Sequence, residues 1–454
     1  MAGTGLDERR LTPKGRATRE RIVKAAAELT LAEGLSALSM DNVRKAASVS
    51  GSQLSHYFAD KQALIRAILV RQINVVLDFH CQPKLNGLAS LDDFERWIDL
   101  NMRYLRRIGY TGTPTYHALA GQLSKSDDAT RETVAAGYWK WVAFLEKAIQ
   151  QMKDRSILVA DADPRHLALV IVTAHQGGGT VAFTYRQEWP HADAVRFAVN
   201  YLRMFAADPA ERTARSPRRP PRKAPKPVSG AVSDGSMAGF TRKGLATRAR
   251  IVDVAAQLMF EHGVAGTSID DLRNTAGVSG SQIAHYFRDK RDLTRQVIAV
   301  RLNDVEVFHT QPQLGALDNL EALEAWADAC VADVETVYSR GGCVYGSLAG
   351  ELLEATDDVL DDLAAGYDRW FSMFRTGLTD MRRRGELRPD ADARHLAVAL
   401  VTAHQGGTMI TYATGSAEPA SAAVNAAVEY VYSFAPPLKS RRSRTTLRRN
   451  PRSA

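Results

Sequence analysis

Apolar residues along this chain recur three and four positions apart, and strict alternation is hard to find. Ile22, Ala26 and Leu29 fall on one face of a 3.6-residue period, as do Ile251, Ala255 and Leu258. Gly or Pro punctuates the sequence at helix-length intervals, so the pattern predicts an all-α protein. Gly34 and Gly263 stop these first helices. A serine followed by acid comes next: Ser39 before Asp41, and Ser268 before Asp270 and Asp271. A serine oxygen accepts from the free N–H groups of a first turn, and carboxylates there meet the positive end of the helix dipole. Both serines are therefore expected N-caps. The short helices they begin, MDNVRKAA and IDDLRNTA, end at SVS and GVS, where Ser50 and Ser279 are placed to cap another.

That further helix is written twice. VSGSQLSHYF (Val49 to Phe58) returns as VSGSQIAHYF (Val278 to Phe287), 229 positions on, with two differences. The same ungapped shift lays TPKGRATRERIV over TRKGLATRARIV, FHCQPKL over FHTQPQL, AAGYWKW over AAGYDRW and VTAHQGG over VTAHQGG. Eight of the eleven histidines pair under it. The repeating unit has the length of a whole domain, so the chain is a tandem duplication. Between the copies, residues 208–240 are rich in Pro, Arg, Ser and Gly and read as a linker. Its length spans on the order of 100 Å when extended, enough for the two units to pair side by side.

Within the repeated helix, Leu54 and Phe58 (Ile283 and Phe287) lie four apart and are expected to face inward. Gly51, Ser52, Gln53, Ser55 and His56 are left outside, as are Gly280, Ser281, Gln282, Ala284 and His285. Two short helices joined by a tight turn, the second presenting small and hydrogen-bonding side chains, describe a helix-turn-helix, whose second helix enters the DNA major groove. Gln53 and Gln282 suit the N6/N7 edge of an adenine, and Ser52 and Ser281 a phosphate or base edge. Lys61 and Lys290, opening the following helix, suit phosphates, as do Thr18, Arg19, Thr247 and Arg248 near the first helix. The capping serines Ser39, Ser50, Ser268 and Ser279 complete the candidate DNA-facing set. The bland alternative is a polar surface helix of a bundle. Against it, outward Gly, Ser, Gln and His agree between copies, while later parts of the units match less well.

At 454 residues the chain exceeds one ordinary core, and 45% hydrophobic with 24% charged residues is a soluble, globular composition. The net charge of +8 is uneven: residues 208–240 hold seven Lys/Arg against three Asp/Glu, and residues 436–454 hold seven and no acid. Such basic segments are common in nucleic-acid binders. The expected division is an N-terminus (1–11), a first head (12–62) and body (63–207), the linker, a second head (241–291) and body (292–435), and a basic disordered tail (436–454). Three scattered cysteines, Cys81, Cys330 and Cys343, exclude a disulfide framework or structural zinc and read as small buried hydrophobes. No run of eighteen apolar residues and no apolar signal core occur, so a cytoplasmic, nucleoid-associated protein is expected. No phosphate-cradling glycine loop, HExxH or nucleophile elbow is present; no metal, cofactor or enzymatic role is expected. His166 and His395, at helix starts, read as surface residues.

The stretches AAAELTLAEG with LSMDNVRKAASVSGSQLSHYFADKQAL, and AAQLMFEHG with TSIDDLRNTAGVSGSQIAHYFRDKRDL, resemble the head of the TetR family of bacterial one-component regulators. GGCVYGSLAGEL and GELRPDADARHLAVALVTAHQGG are similar to ligand-domain stretches of that family, and TGTPTYHALAGQL is a looser version in the first unit. The family's aromatic after the Leu of the recognition helix is Ser55 and Ala284 here, leaving Tyr57 and Tyr286 to substitute in the backbone contact. The resemblance implies a DNA-binding head on a helical body that dimerises and encloses a small-molecule pocket. It further implies a repressor released from a near-palindromic, double-stranded operator by an effector, with the two units forming an internal pseudo-dimer. The rival is a constitutive or architectural DNA binder without a working pocket. Candidate pocket residues are Trp97, Tyr104, Tyr110, Tyr116, His117 and Trp141 in the first unit, and Trp326, Tyr338, Cys343, Tyr345 and Trp370 in the second. His175 and His404 of the repeated VTAHQGG border the pocket or the seam between units, and a satisfied core histidine is the favoured reading of each.

Overall fold

The computed structural model describes residues 11–110, 115–215 and 240–436. The basic tail beyond Pro436, linker residues 216–239 and N-terminal residues 1–10 lie outside the described residues. The first unit comprises α1 (Pro13–Glu33), α2 (Met40–Ala46), α3 (Gly51–Tyr57), α4 (Lys61–His80), α5 (Leu91–Ile108), α6 (Tyr116–Leu123), α7 (Asp128–Asp154), α8 (Pro164–Tyr185) and α9 (Trp189–Met204). In the second, α10 (Arg242–Gly266), α11 (Ile269–Ala276), α12 (Gly280–Tyr286) and α13 (Lys290–His309) repeat α1 to α4. There α14 (Leu320–Asp333) runs through a π-helical turn (Val334–Tyr338) into the single turn α15 (Ser339–Gly341). The chain then forms α16 (Gly346–Glu351), α17 (Asp357–Arg384), α18 (Ala393–Thr414) and α19 (Glu418–Tyr432). Among the described residues the fold is all-α; one isolated bridge joins Leu158 and Ala206.

Two expected boundaries need correction. Cuts after residues 62 and 291 fall inside α4 and α13, which run unbroken from head to body. A helix of 20 residues with every backbone bond made is a stiff rod, so head and body move together along it. At the other end, residues 208–215, read as linker, fold back onto the first unit. Asn200 holds both backbone groups of Arg215 at 2.9 Å, and the buried Arg203 pairs with Glu95 and Glu211.

The centre of the molecule is the contact of α8 with α18. Helix α8 is long and apolar enough by composition to cross a membrane, yet that stretch is wholly buried within the protein. The repeated VTAHQGG explains how. A Cβ on Gly177 would overlap the Thr402 carbonyl and lie 2.7 Å from Gly406 N, and a Cβ on Gly406 would overlap the Thr173 carbonyl in return. These two helices meet backbone to backbone, and only glycine permits that approach. The second glycine of each copy serves its own unit: Gly178 faces His191 and Ala194 of α9, and Gly407 faces Ala420 and Ala423 of α19. The preceding glutamines tie the layers together. Gln176 accepts from Tyr138 at 2.6 Å and donates to His117 O at 3.1 Å, while Gln405 accepts from Tyr367 at 2.9 Å and donates to Gly346 O at 3.0 Å.

Around that crossing, Asn200 donates to Tyr430 at 2.9 Å, Tyr201 to Glu429 at 2.5 Å, and Arg165 makes a two-point contact with Glu418. The surface reading of His166 and His395 is corrected here. His395 is buried against the Tyr430 hydroxyl at 3.2 Å, and His166, half-buried, meets Tyr201 at 3.1 Å. Cys330 and Cys343 are buried as expected, whereas Cys81 is exposed because it follows the last turn of α4.

Gly177→Val or Gly406→Val must push the two helices apart and is expected to destabilise the chain by about 3 kcal/mol or more in urea unfolding. Gly51→Ala, at a position with nothing within 4 Å of the new methyl, is expected to leave the midpoint in place. Equal effects at both sites would contradict the close crossing.

Candidate functional site

The recognition helices are built by their caps. Ser50 Oγ accepts from Gln53 N at 3.1 Å while Gln53 Oε1 accepts from Ser50 N at 3.0 Å, and Ser279 and Gln282 repeat this at 3.2 and 2.8 Å. Each is a reciprocal capping box. Sequence reading assigned Gln53 and Gln282 only to base edges; their spacing three residues after a capping serine was the overlooked signal. The consequence is chemical. With the amide oxygen turned to the helix start, the NH2 group is the end left without a protein partner. It suits a base acceptor, and a two-point adenine contact requires the oxygen to share its second lone pair.

Leu54 and Phe58, with Ile283 and Phe287, are buried, and Gly51, Ser52, Ser55 and His56, with Gly280, Ser281, Ala284 and His285, are exposed. Ser52 and Ser281 each lie 2.9 Å from their capping serine. Ser39 and Ser268 cap α2 and α11 as expected. Thr12 and Thr241 cap α1 and α10, and the Tyr57 and Tyr286 hydroxyls stand over Gly15 and Gly244 in those first turns. Arg19 and Arg248 lie over the Phe58 and Phe287 rings at 5.3 and 5.2 Å, and Thr18 and Thr247 donate to carbonyls of their own helices. One phosphate candidate is corrected. Lys61 is exposed, but Lys290 is half-buried and donates to Val264 O and Thr267 O at 2.6 and 2.7 Å, locking α13 to the end of α10.

Both heads are held from one short segment, the last residue of α16 and the turn that follows it. Glu351, at the end of α16, accepts from Val264 N at 2.6 Å; Glu354, three residues on, accepts from Leu35 N at 2.9 Å. Leu35 and Val264 are equivalent in the two copies, each following a glycine at φ +86° or +78°. A Cβ on Gly34 or Gly263 would lie 2.8 Å from the carboxylate that grips it. Lys125 of the first unit pairs with Glu351 at 3.0 Å, with both side chains buried. In turn α16 lies against α6, where Gly121 meets Gly350.

A cavity of about 80 Å³ opens between α4, α5, α6, α7 and α8 of the first unit. Tyr104, Tyr116, His117, Trp141 and His175 line it as expected, and Gln72, Val75, Val76, Phe79, His80, Asn101, Leu105 and Thr115 join them. Two candidates are corrected. Trp97 lies behind the wall, its indole N–H donating to His80 at 3.0 Å, and Tyr110 is buried against Phe183. Of the second-unit candidates, Cys343 borders a small cleft with Gly121, Gln405 and Tyr412. Trp326 and Trp370 both donate to His309 at 3.1 Å, and Tyr338 meets His404 at 2.9 Å. Tyr345 donates to Leu363 O at 2.6 Å, and Cys343 is buried beside Gly346 N. Around the cavity, burial lowers His80 to about 4 and His117 and His191 to about 3, and it drives His175 well below the ordinary value. Their sequence signal was an exception: His117 and His191 are two of the three histidines that break the repeat.

Helix-turn-helix pairs on helical bodies define a class of DNA-binding transcriptional regulators. Residues 22–68 and 251–297 match the family described as "Bacterial regulatory proteins, tetR family", and residues 319–427 match "Tetracyclin repressor-like, C-terminal domain". The chain is a tandem TetR-like regulator, with a matched head in each unit and a matched C-terminal domain in the second. It is similar to the HTH-type transcriptional repressor DhaR of Mycobacterium sp. (strain GP1), 22% identical over 163 residues, covering 36% of this chain and 80% of the relative. It is also similar to the HTH-type transcriptional repressor KstR2 of Rhodococcus jostii (strain RHA1), 21% identical over 146 residues, covering 32% and 70%. A solved TetR transcriptional regulator from Chloroflexus aurantiacus is 27% identical, covers 43% of this chain and 98% of that one, and has a TM-score of 0.39.

The buried histidines set a pH dependence. His309 (about 4) and His404 (about 3) join His80, His117 and His191 in having folded values below the ordinary 6.5. The unfolded chain therefore binds more protons below pH 6.5, and stability, full above that value, declines as pH falls toward 4. At pH 5.5 each contributes a loss on the order of 1 kcal/mol. Thermal melts at pH 7.5 and 5.5 are expected to show a large drop; a flat profile would mean these rings are not held neutral.

Proposed function

We propose that the chain is a repressor that grips a near-palindromic operator with both of its heads and is released by a small molecule held in its helical body. The observation that carries this reading is the shared grip of Glu351 and Glu354 on equivalent backbone positions of the two heads. The segment from Glu351 to Glu354 links the positions of the two heads, and recognition helices enter successive major grooves only when ~34–36 Å apart. The cavity borders α4, the rod of the first head, and the start of α6, which lies against α16. An occupant that shifts either helix changes the spacing of the heads. The relatives whose names call them repressors favour repression over activation.

The preference for a near-palindrome is supported by the outward faces. Gly, Ser, Gln and His agree between α3 and α12, and Ser55 against Ala284 is the one outward difference. Because both heads sit in one chain, engaging the second half-site is intramolecular and independent of protein concentration.

Gln53→Ala is expected to weaken binding at one half-site by roughly 1–3 kcal/mol and Gln282→Ala at the other, read by gel shift on operators mutated in one half-site at a time. Unchanged affinity in either variant removes that helix as the reader. Lys61→Ala should weaken all sequences alike and reduce the salt slope by about 1, as loss of one phosphate contact does. Lys290→Ala should instead lower the melting temperature of the head, since its ammonium holds two carbonyls. An equal loss of salt dependence in both lysine variants would contradict the different roles assigned to them.

A further inference from the structure

We infer that the effector binds once per chain, in the first unit alone, and that it is a small uncharged aromatic alcohol of the single-ring phenol type. This rests on the effector-release reading above and names the ligand of that site. None of the residues lining the cavity is an acid, a lysine or an arginine; His80 and His117 are buried and His175 is half-buried. A charged molecule entering it would lose its hydration with no opposite charge to replace it. Rings of Phe79, Tyr104, Tyr116 and Trp141 make the walls, and about 80 Å³ excludes anything larger than a single ring.

The polar groups left open specify a hydroxyl. Asn101 Nδ2 donates to Trp97 O at 2.8 Å, which turns Asn101 Oδ1 toward His175 Nε2 at 3.2 Å. That nitrogen must therefore carry the proton, and His175 Nδ1 is a bare acceptor, buried and without a partner. Trp141 Nε1 is a donor in the same condition. One hydroxyl satisfies both, its oxygen accepting from Trp141 and its proton going to His175. A neutral ketone or ether meets only the first need.

The second unit keeps a buried, unpartnered Nδ1 on His404 but has lost the open tryptophan donor. Under the shift of 229, Trp141 corresponds to Trp370, whose N–H is given to His309, and His175 to His404, which is covered by Tyr338. Tyr338 stands where the first unit has Gly109 and is carried there by the π-helical turn of 334–338. Asn101, Thr115 and His117 become Cys330, Val344 and Gly346. The second body thus lacks the donor half of the pair that the first presents.

Isothermal titration of the full chain with phenol, anisole, toluene and benzoate tests this. Phenol is expected to bind at one site per chain, anisole and toluene each roughly tenfold more weakly in turn, and benzoate not at all. Trp141→Phe, which keeps the ring and removes the N–H, should cost phenol about tenfold. Two sites per chain, toluene as tight as phenol, binding of benzoate, or no binding of phenol would each overturn the inference. The release reading fails separately: if phenol binds one to one but operator affinity is unchanged, this ligand assignment stands and release by it does not. If another metabolite releases the operator without competing with phenol, release stands and this assignment falls.

Discussion

Where α8 crosses α18, Gly177 and Gly406 each lie against the other helix's backbone, and no side chain fits between them. That contact decides how much else can be shared. Because the helices touch, Gln176 and Gln405, one residue earlier, reach outward on both sides to a tyrosine of the long helix and to the first turns of α6 and α16. Those two short helices are the ones that meet at Gly121 and Gly350 and lead to the carboxylates holding the heads. Seam, cavity wall and head grip form one stack of close packing and hydrogen bonds, and a displacement at one level is felt at the next because close-packed interiors transmit strain.

Fusing the copies has permitted what two identical chains cannot do. Lys125 and Glu354 are equivalent positions, as are Gln122 and Glu351. In a homodimer each pair would be one residue type, and a lysine facing a carboxylate across the seam would appear twice. Here the first unit supplies the cation of the buried Lys125–Glu351 pair, and the second supplies both carboxylates. Removing one member of such a pair leaves a buried charge, so it fixes the arrangement of the units more than it adds stability. The same freedom separates the two bodies: Trp141 keeps an open donor at the cavity of one, while Trp370 gives its N–H to His309 in the other.

Much of this was legible in the sequence where the cause is local. Caps at Ser39, Ser50, Ser268 and Ser279 depend on residues two or three apart, and each formed as the spacing required. The tandem all-α architecture followed from the repeat itself. What escaped lay in contacts across the fold. Lys290 looks like Lys61 in the alignment of the copies, but the carbonyls of Val264 and Thr267 capture it through a loop geometry that no spacing encodes. Trp97 and Trp141 read alike as aromatics, and only the position of His80 separates a wall-backing tryptophan from a lining one. The grip of Glu354 on Leu35 spans 319 positions. The fold was therefore readable from the chain to a greater depth than the site.

One chain holding two half-sites is the claim on which the rest turns. Native mass spectrometry of the full chain on its operator, paired with hydroxyl-radical footprinting, measures it directly. A single chain per duplex protecting two half-sites about one helical turn apart, ~34–36 Å, is the expected result. Two chains per duplex, each protecting one half-site and leaving its second head free, would contradict it.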